Sequence, residues 1–278
     1  MNRDQRQQAA HDTLAALKQG SYPGPAGPVD FAVAQRTAEA GSRLYRPADA
    51  AGLLAELAAP TAAPPAAVRV YPATTLEGAA GLAGRFERVG VLNFASARNP
   101  GGGFLGGSQA QEESLARSSG LYPCLTQFGE MYQYNARPAS TALYSDYLVY
   151  SPQVPVLRAD DGQWLPRPQL LDIITAPAVN AGALARNSPE LLPQLLPTMR
   201  QRLRLVLAVA ARHGVEALVL GAWGCGVFGN DPAQVAQLFA EALAEPGIRN
   251  RFRQLDFAIF DPKPPQPVLR AFEQALGC

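Results

Sequence analysis

Cysteine is sparse in this sequence. Cys124, Cys225 and Cys278 are far apart and odd in number, so a disulfide framework is not expected. Histidine is sparser still. His11 and His213 sit in helix-like contexts with no cysteine at metal-ligand spacing, so neither a metal nor a cofactor is expected. No apolar run approaches the roughly 20 residues that span a bilayer, and residues 1–8 are polar, without the apolar centre of a signal peptide. The expectation is a chain in the reducing cytoplasm, away from membranes. Nor does one sign of charge dominate, since 24 basic residues face 23 acidic ones. That balance gives no bulk grip on nucleic acid, so a polyanionic ligand would be held locally, by backbone amides and dipoles. With 47% hydrophobic residues over 278, the chain can fill one large domain or one and a half.

Lysine is missing from the stretch around which the rest is organised. Residues 99–113 read Asn99-Pro100-Gly101-Gly102-Gly103-Phe104-Leu105-Gly106-Gly107-Ser108-Gln109-Ala110-Gln111-Glu112-Glu113. Without lysine the loop is not a Walker-type phosphate loop, and the glycine spacing does not fit the dinucleotide fingerprint. Three successive glycines let another molecule approach the main chain closely. Residues 110–118 then read as a helix with a polar start. A glycine turn feeding a helix N-terminus presents unpaired N–H groups and suits an anion or a sugar. The carboxylate pair Glu112–Glu113 has a plainer reading, as charges offsetting the helix dipole, but its place beside the glycines favours a site.

The chain in order predicts helices over 5–18, 29–40 and 47–57, a Pro/Gly loop over 21–28, and an Ala/Pro connector over 58–67. This divides the chain into an N-terminal helical extension, 1–67, packed on a core, 68–278. The core alternates strands (68–71, 89–94, 170–175, 217–220, 255–260) with helices (74–83, short helices within 121–136, 233–244, 267–276). Residues 147–151 and 154–158 read as a hairpin pair around Pro152, with 160–162 as a turn. The longest helical stretch, 191–213, begins in truth nearer Thr198, because Pro193 and Pro197 lie at its start. Such an order predicts an α/β fold of three layers with a mixed, mainly parallel sheet.

A second glycine loop, Gly221-Ala222-Trp223-Gly224-Cys225-Gly226-Val227-Phe228-Gly229-Asn230-Asp231-Pro232, again lies between a strand and a helix. Successive N–H groups in such a loop form a concave anion nest suited to a diphosphate, and Phe228 offers a flat face for a sugar or base. Asp231 and Pro232 are N-cap and first helical residue. The plainer reading is a tight turn over a buried Trp223. Cys225 lacks a histidine partner and is not read as a nucleophile. Asn99 either bonds ribose hydroxyls or caps the turn before Pro100, Gln111 either meets substrate or is structural, and Asn93 reads as a sheet-edge residue.

Gly-Gly-Gly, seven residues, then Gln-Glu-Glu resembles the signature of poly(ADP-ribose) glycohydrolases, in their shorter bacterial-type branch. Residues 224–232 resemble that family's diphosphate loop, and 73–77, 93–96 and 176–180 extend the likeness over about 68–262. The resemblance implies a macrodomain-like fold with both loops on one ADP-ribose unit, and hydrolysis of ribose–ribose O-glycosidic bonds without a cofactor. It implies Glu113 as catalyst and Glu112 on ribose hydroxyls. The binding set is Asn99, Gly101, Gly102, Gly103, Gln111, Gly224, Cys225, Gly226, Val227, Phe228, Gly229 and Asn230. Expected partners are poly(ADP-ribose), ADP-ribose and ADP-ribosylated proteins, with no sequence-specific nucleic acid, no membrane, and a monomeric chain. The adenine-stacking residue stays unassigned, although the tyrosine-rich stretch 122–144 is one source. Two other functions compete: a macrodomain that binds ADP-ribose without cleaving it, and a nucleotide-diphosphate hydrolase, which needs a carboxylate-held metal.

Neighbouring residues on a helix point about 100° apart, so Glu112 and Glu113 do not flank one bond as glycosidase carboxylates do. One carboxyl acting first as acid, then as base, fits better. A helix N-terminus favours the carboxylate anion, whereas burial under substrate and nearby negative charge favour the acid. Glu113 is therefore expected to become a competent acid mainly in the bound complex.

Overall fold

The computed structural model describes residues 1–277; Cys278 lies outside the described residues. The chain opens with α1 (Arg3–Gln19), a ribbon of β1 (Ser21–Gly24) and β2 (Gly27–Asp30), α2 (Ala32–Gly41), β3 (Arg43–Tyr45) and α3 (Ala50–Ala58). There follow β4 (Ala67–Tyr71), α4 (Thr75–Leu82), β5 (Val89–Phe94), α5 (Gln111–Ser118), α6 (Leu121–Thr126), α7 (Gly129–Ala136), β6 (Leu148–Arg158) and β7 (Trp164–Ala176). The remainder runs α8 (Ala181–Asn187), α9 (Leu195–Arg212), β8 (Ala217–Leu220), α10 (Pro232–Ala244), β9 (Gln254–Ala258) and α11 (Pro267–Leu276).

Seven strands form one sheet in the order β3-β6-β7-β5-β8-β9-β4. Pairs among β7, β5, β8, β9 and β4 are parallel, while β6 runs antiparallel to both of its neighbours. The sheet is thus mixed and mainly parallel, as the element order predicts. Strand alternation sorts the core into two faces. Val91 and Val219 pack with Leu76 and Leu82 of α4, Leu115 of α5 and Met131 of α7. Leu92, Leu218 and Leu220 pack on the other side with Leu203 and Val206 of α9, Phe239 of α10 and Phe272 of α11. Helices on both faces make three layers. Parallel strands end on a common edge, and both glycine loops leave the sheet there, from the adjacent strands β5 and β8.

Several local expectations are corrected. Residues 21–28, read as a loop, open a two-stranded ribbon in which Tyr22 pairs with Val29 and stacks on Trp164. Prolines are tolerated there because the ribbon stands outside the main sheet. The hairpin expected at Pro152 is one continuous strand, β6, with a bulge between Ser151 and Val154 where Gln153 has φ 47°. Its true partner is β7, and the turn between them lies at the expected Asp160-Asp161-Gly162. Helix α9 starts at Leu195, before Thr198, with Pro197 in the first turn, where N–H groups have no helical acceptor anyway. Strand β3 has no counterpart in the sequence reading; it places residues 43–45 at the sheet's edge, so 1–67 supplies strands as well as helices.

Candidate active site

The first loop is assembled by the triplet that ends it. Gln111 Oε1 accepts from Phe94 N at 2.8 Å, while Nε2 donates to Leu92 O at 2.8 Å and Thr75 Oγ1 at 3.1 Å. Its amide thus hitches the start of α5 to the end of β5. Glu112 points inward and is 2% exposed. Its Oε2 accepts from Ser96 N at 2.6 Å and its Oε1 from Asn93 Nδ2 at 3.2 Å. Burial, the largest influence, pushes the Glu112 pKa up to about 8 against the pull of these donors. Asn93, set in an apolar strand, is fully buried and also reaches Thr175 Oγ1 at 3.2 Å.

Glu113 is the half-buried one of the pair, and its Oε1 accepts from Gly103 N at 3.0 Å. Glycine is required beside it. Gly102 has φ 58°, and a Cβ there would lie 2.3 Å from Glu113 Oε1 and 3.3 Å from Glu112 Oε2. Both carboxyl groups therefore converge on one bare stretch of main chain. Asn99 N donates to Ser96 Oγ at 3.2 Å and its carbonyl accepts from Gly102 N at 3.0 Å. The turn is held by Ser96 and by backbone, while the Asn99 side chain is exposed and has no protein partner among the described residues.

In the second loop Asn230 is the staple. It is 4% exposed, and its Nδ2 donates to Val179 O at 2.8 Å and Gly224 O at 3.0 Å. Gly224, with φ 77°, leaves no room for a Cβ, which would meet Ala178 Cβ and Asn230 Nδ2, each at 2.5 Å. Buried Trp223 donates Nε1 to Ala176 O at 3.1 Å, tying the loop to the end of β7. Asp231 caps α10 through Ala233 N and Gln234 N, with Pro232 in the first helical position. These contacts leave the N–H groups of Gly226, Val227 and Phe228 without an acceptor among the described residues. Val227 is 84% exposed beside them. Burial pushes the Cys225 thiol up to about 12, so it stays protonated and unreactive.

The two loops meet over one ring. Tyr144 packs against Phe228 with centroids 5.9 Å apart, and the Arg98 guanidinium, one residue before Asn99, lies 5.9 Å from the Tyr144 centroid. The residues expected from both motifs are thus brought to one region of the sheet edge. Sequence reasoning missed Ser96, whose N–H grips Glu112, and Phe260, expected inside the last strand. Phe260 stands two residues past β9 and is 70% exposed on the same edge. Asn93 carried a signal, being a lone amide in an apolar strand. Among the described residues, no group of three or more His, Cys, Asp or Glu side chains converges as a metal site, and no helix is long and apolar enough to cross a membrane.

Residues 10–159 match the family model described as microbial-type PARG, catalytic domain, PARG being poly(ADP-ribose) glycohydrolase. The match begins inside α1, so it takes in much of the N-terminal third, whose resemblance by sequence is looser. The poly(ADP-ribose) glycohydrolase of Thermomonospora curvata is 44% identical over 97% of this chain and 98% of its own, with a TM-score of 0.92. The same protein crystallised with the inhibitor ADP-HPD has a TM-score of 0.89 at 43% identity, with the same coverage of both chains. The poly(ADP-ribose) glycohydrolase of Deinococcus radiodurans, solved with ADP-ribose, is 48% identical over 87% of this chain and 96% of its own, with a TM-score of 0.83. No curated protein sequence matches. In sequence and in overall fold, the chain belongs to the microbial-type poly(ADP-ribose) glycohydrolases.

Proposed function

We propose that Glu113 is the general acid and base that cleaves the ribose–ribose O-glycosidic bond of poly(ADP-ribose) and releases ADP-ribose. One observation carries the assignment: of the two adjacent carboxyls, Glu112 is buried and bonded through both oxygens, while Glu113 is half-buried, with a single N–H on Oε1. Glu113 gives a proton to the leaving ribose oxygen as the C1″–O bond breaks. It then takes a proton from the water that attacks the oxocarbenium-like centre. Glu112 holds the Ser96 turn and meets ribose hydroxyls only with its remaining lone pairs. Because burial already favours a proton on Glu112, repulsion between the two carboxyls is weakened near neutral pH.

The unpaired N–H groups of Gly226, Val227 and Phe228 are the proposed cradle of the diphosphate. Gly224, Cys225, Gly229 and Asn230 shape that cradle. Gly101, Gly102 and Gly103 give the distal ribose close approach, Gln111 fixes the helix beside it, and the exposed Asn99 amide meets its hydroxyls. Phe260, two residues past the end of β9, the strand next to β8, is the proposed stacking face for adenine. ADP-ribosylated proteins as carriers of the polymer, a monomeric chain and a cytoplasmic setting belong to the same proposal. Labelled polymer tests it. Wild type releases ADP-ribose, whereas Glu113→Gln releases none yet binds ADP-ribose. Normal turnover by that variant, or AMP as product, sinks the assignment.

A further inference from the structure

Helix α1 takes no part in the chemistry above, yet it is bolted to the catalytic loop. Arg3 Nε donates to Gly106 O at 3.0 Å and Arg6 Nε to Gly107 O at 2.8 Å. From α5, Arg117 Nη1 reaches Ser108 O at 3.3 Å, and its Nη2 donates to Gln109 Oε1 at 2.8 Å. Three consecutive carbonyl oxygens thus end on three different guanidinium groups. Gathering cations so closely is unfavourable, and the buried Arg117 is pushed below its usual pKa first by burial and then by Arg6. Such an arrangement costs stability unless the loop itself has to be held.

The helix is fixed independently of these arginines. Asn2 and Gln5 form a reciprocal cap at its start, which sets Arg3 and Arg6 one turn apart on a common face. Ala10 packs on Phe104 and Ala116, and Thr13 Oγ1 donates to Arg117 O at 2.7 Å. Gly107, with φ 73°, lies so close that a Cβ would come within 2.5 Å of Arg3 O. The far side of the loop leads to the acid. Gly106 N and Ser108 N both donate to Gly103 O, at 3.0 and 3.2 Å, and Gly103 N donates to Glu113 Oε1 at 3.0 Å. Hydrogen bonds and the backbone between them therefore link α1, through residues 106–108 and Gly103, to the Glu113 carboxyl.

We propose that Arg3 and Arg6 are positioning residues for Glu113, holding residues 106–107 so that the Gly103 N–H stays on the carboxyl. This rests on Glu113 as the acid and base. The test compares wild type, Arg3→Ala/Arg6→Ala and Arg6→Lys, with folding checked by circular dichroism. The measurements are kcat and KM on poly(ADP-ribose), and Kd for ADP-ribose. Misplacing a catalytic group by about 1 Å costs up to about a hundredfold, so the double variant is expected to lose about tenfold in kcat from partial loosening. Its KM and Kd stay within about twofold, because the diphosphate cradle is elsewhere. Arg6→Lys, whose ammonium still donates to Gly107 O, recovers most of the loss. An unchanged kcat overturns the proposal, as does a parallel fall in kcat and binding without rescue by lysine, which marks a merely structural contact. Glu113→Gln run alongside keeps the two ideas apart: if it turns over, the acid assignment fails whatever the arginine variants do.

Discussion

Gly102→Ala puts a single methyl group between the main chain and the Glu113 carboxyl, the proposed acid and base. The new Cβ would lie 2.3 Å from Glu113 Oε1 and 2.9 Å from its Cδ. Ordinary carbon contacts are about 3.5 Å, so the carboxyl has to retreat by about 1 Å and gives up the Gly103 N–H. A shift of that order costs about a hundredfold in rate. Separately, an L residue at φ 58° is strained by about 1–2 kcal/mol, which lowers Tm by roughly 2–8 °C for a chain of this size. The assay is kcat on labelled polymer, with ADP-ribose affinity by calorimetry and Tm by scanning. The expected pattern is a kcat near one hundredth of wild type, affinity changed by less than about fivefold, and a Tm loss within that range. Gly81→Ala is the control, since a Cβ there meets nothing within 4 Å in the last turn of α4. It should gain at most about 0.5 kcal/mol and keep full activity. Wild-type kcat in Gly102→Ala would refute the geometry on which the acid assignment stands.

Glu112 has its folded pKa raised, so folding binds an extra proton between its ordinary carboxylate value and about 8, and stability falls as pH rises through that window. Thermal melts from pH 5 to 8 should show a smaller loss for Glu112→Gln than for wild type; identical slopes would refute the burial account. Phe260→Ala removes a stacking face worth about 1–3 kcal/mol per base, so KM should rise at least about fivefold at constant kcat in steady-state assays. Asn230→Ala frees Val179 O and Gly224 O inside the second loop. Loss of the paired donor costs about 1–3 kcal/mol, seen as a lower Tm together with weaker ADP-ribose binding in calorimetry.

The sheet was legible because its parallel strands are short, apolar on both faces and bounded by helices; Ala217–Leu220 is the plain case. The ribbon of β1 and β2 was not, because its prolines and glycines are the residues that punctuate turns, and only Tyr22 points firmly inward. Pro152 misled in the same way: proline breaks a regular ladder but fits a bulge. At the site, the triplet was legible as chemistry, and its resemblance to the glycohydrolases pointed to Glu113 as catalyst, but which glutamate the fold buries was not. Which glutamate is buried depends on the rotation of α5 against β5, and Gln111 sets that rotation through contacts 17 to 36 positions away. The arginines of α1 act across about a hundred residues, beyond the reach of any local pattern.

The hitch made by Gln111 has a consequence for the order of letters in the motif. Leu92 O and Phe94 N ask for a donor and an acceptor from one side chain; the Gln111 amide supplies both, whereas a carboxylate only accepts. Ser96 N and Asn93 Nδ2 ask the next position for acceptance alone. Exchanging residues 111 and 112 would aim a carboxylate at a carbonyl oxygen and an NH₂ at another donor, on a helix that could no longer seat against the strand. The triplet therefore reads in one direction only: lock, anchor and, on the proposed mechanism, acid.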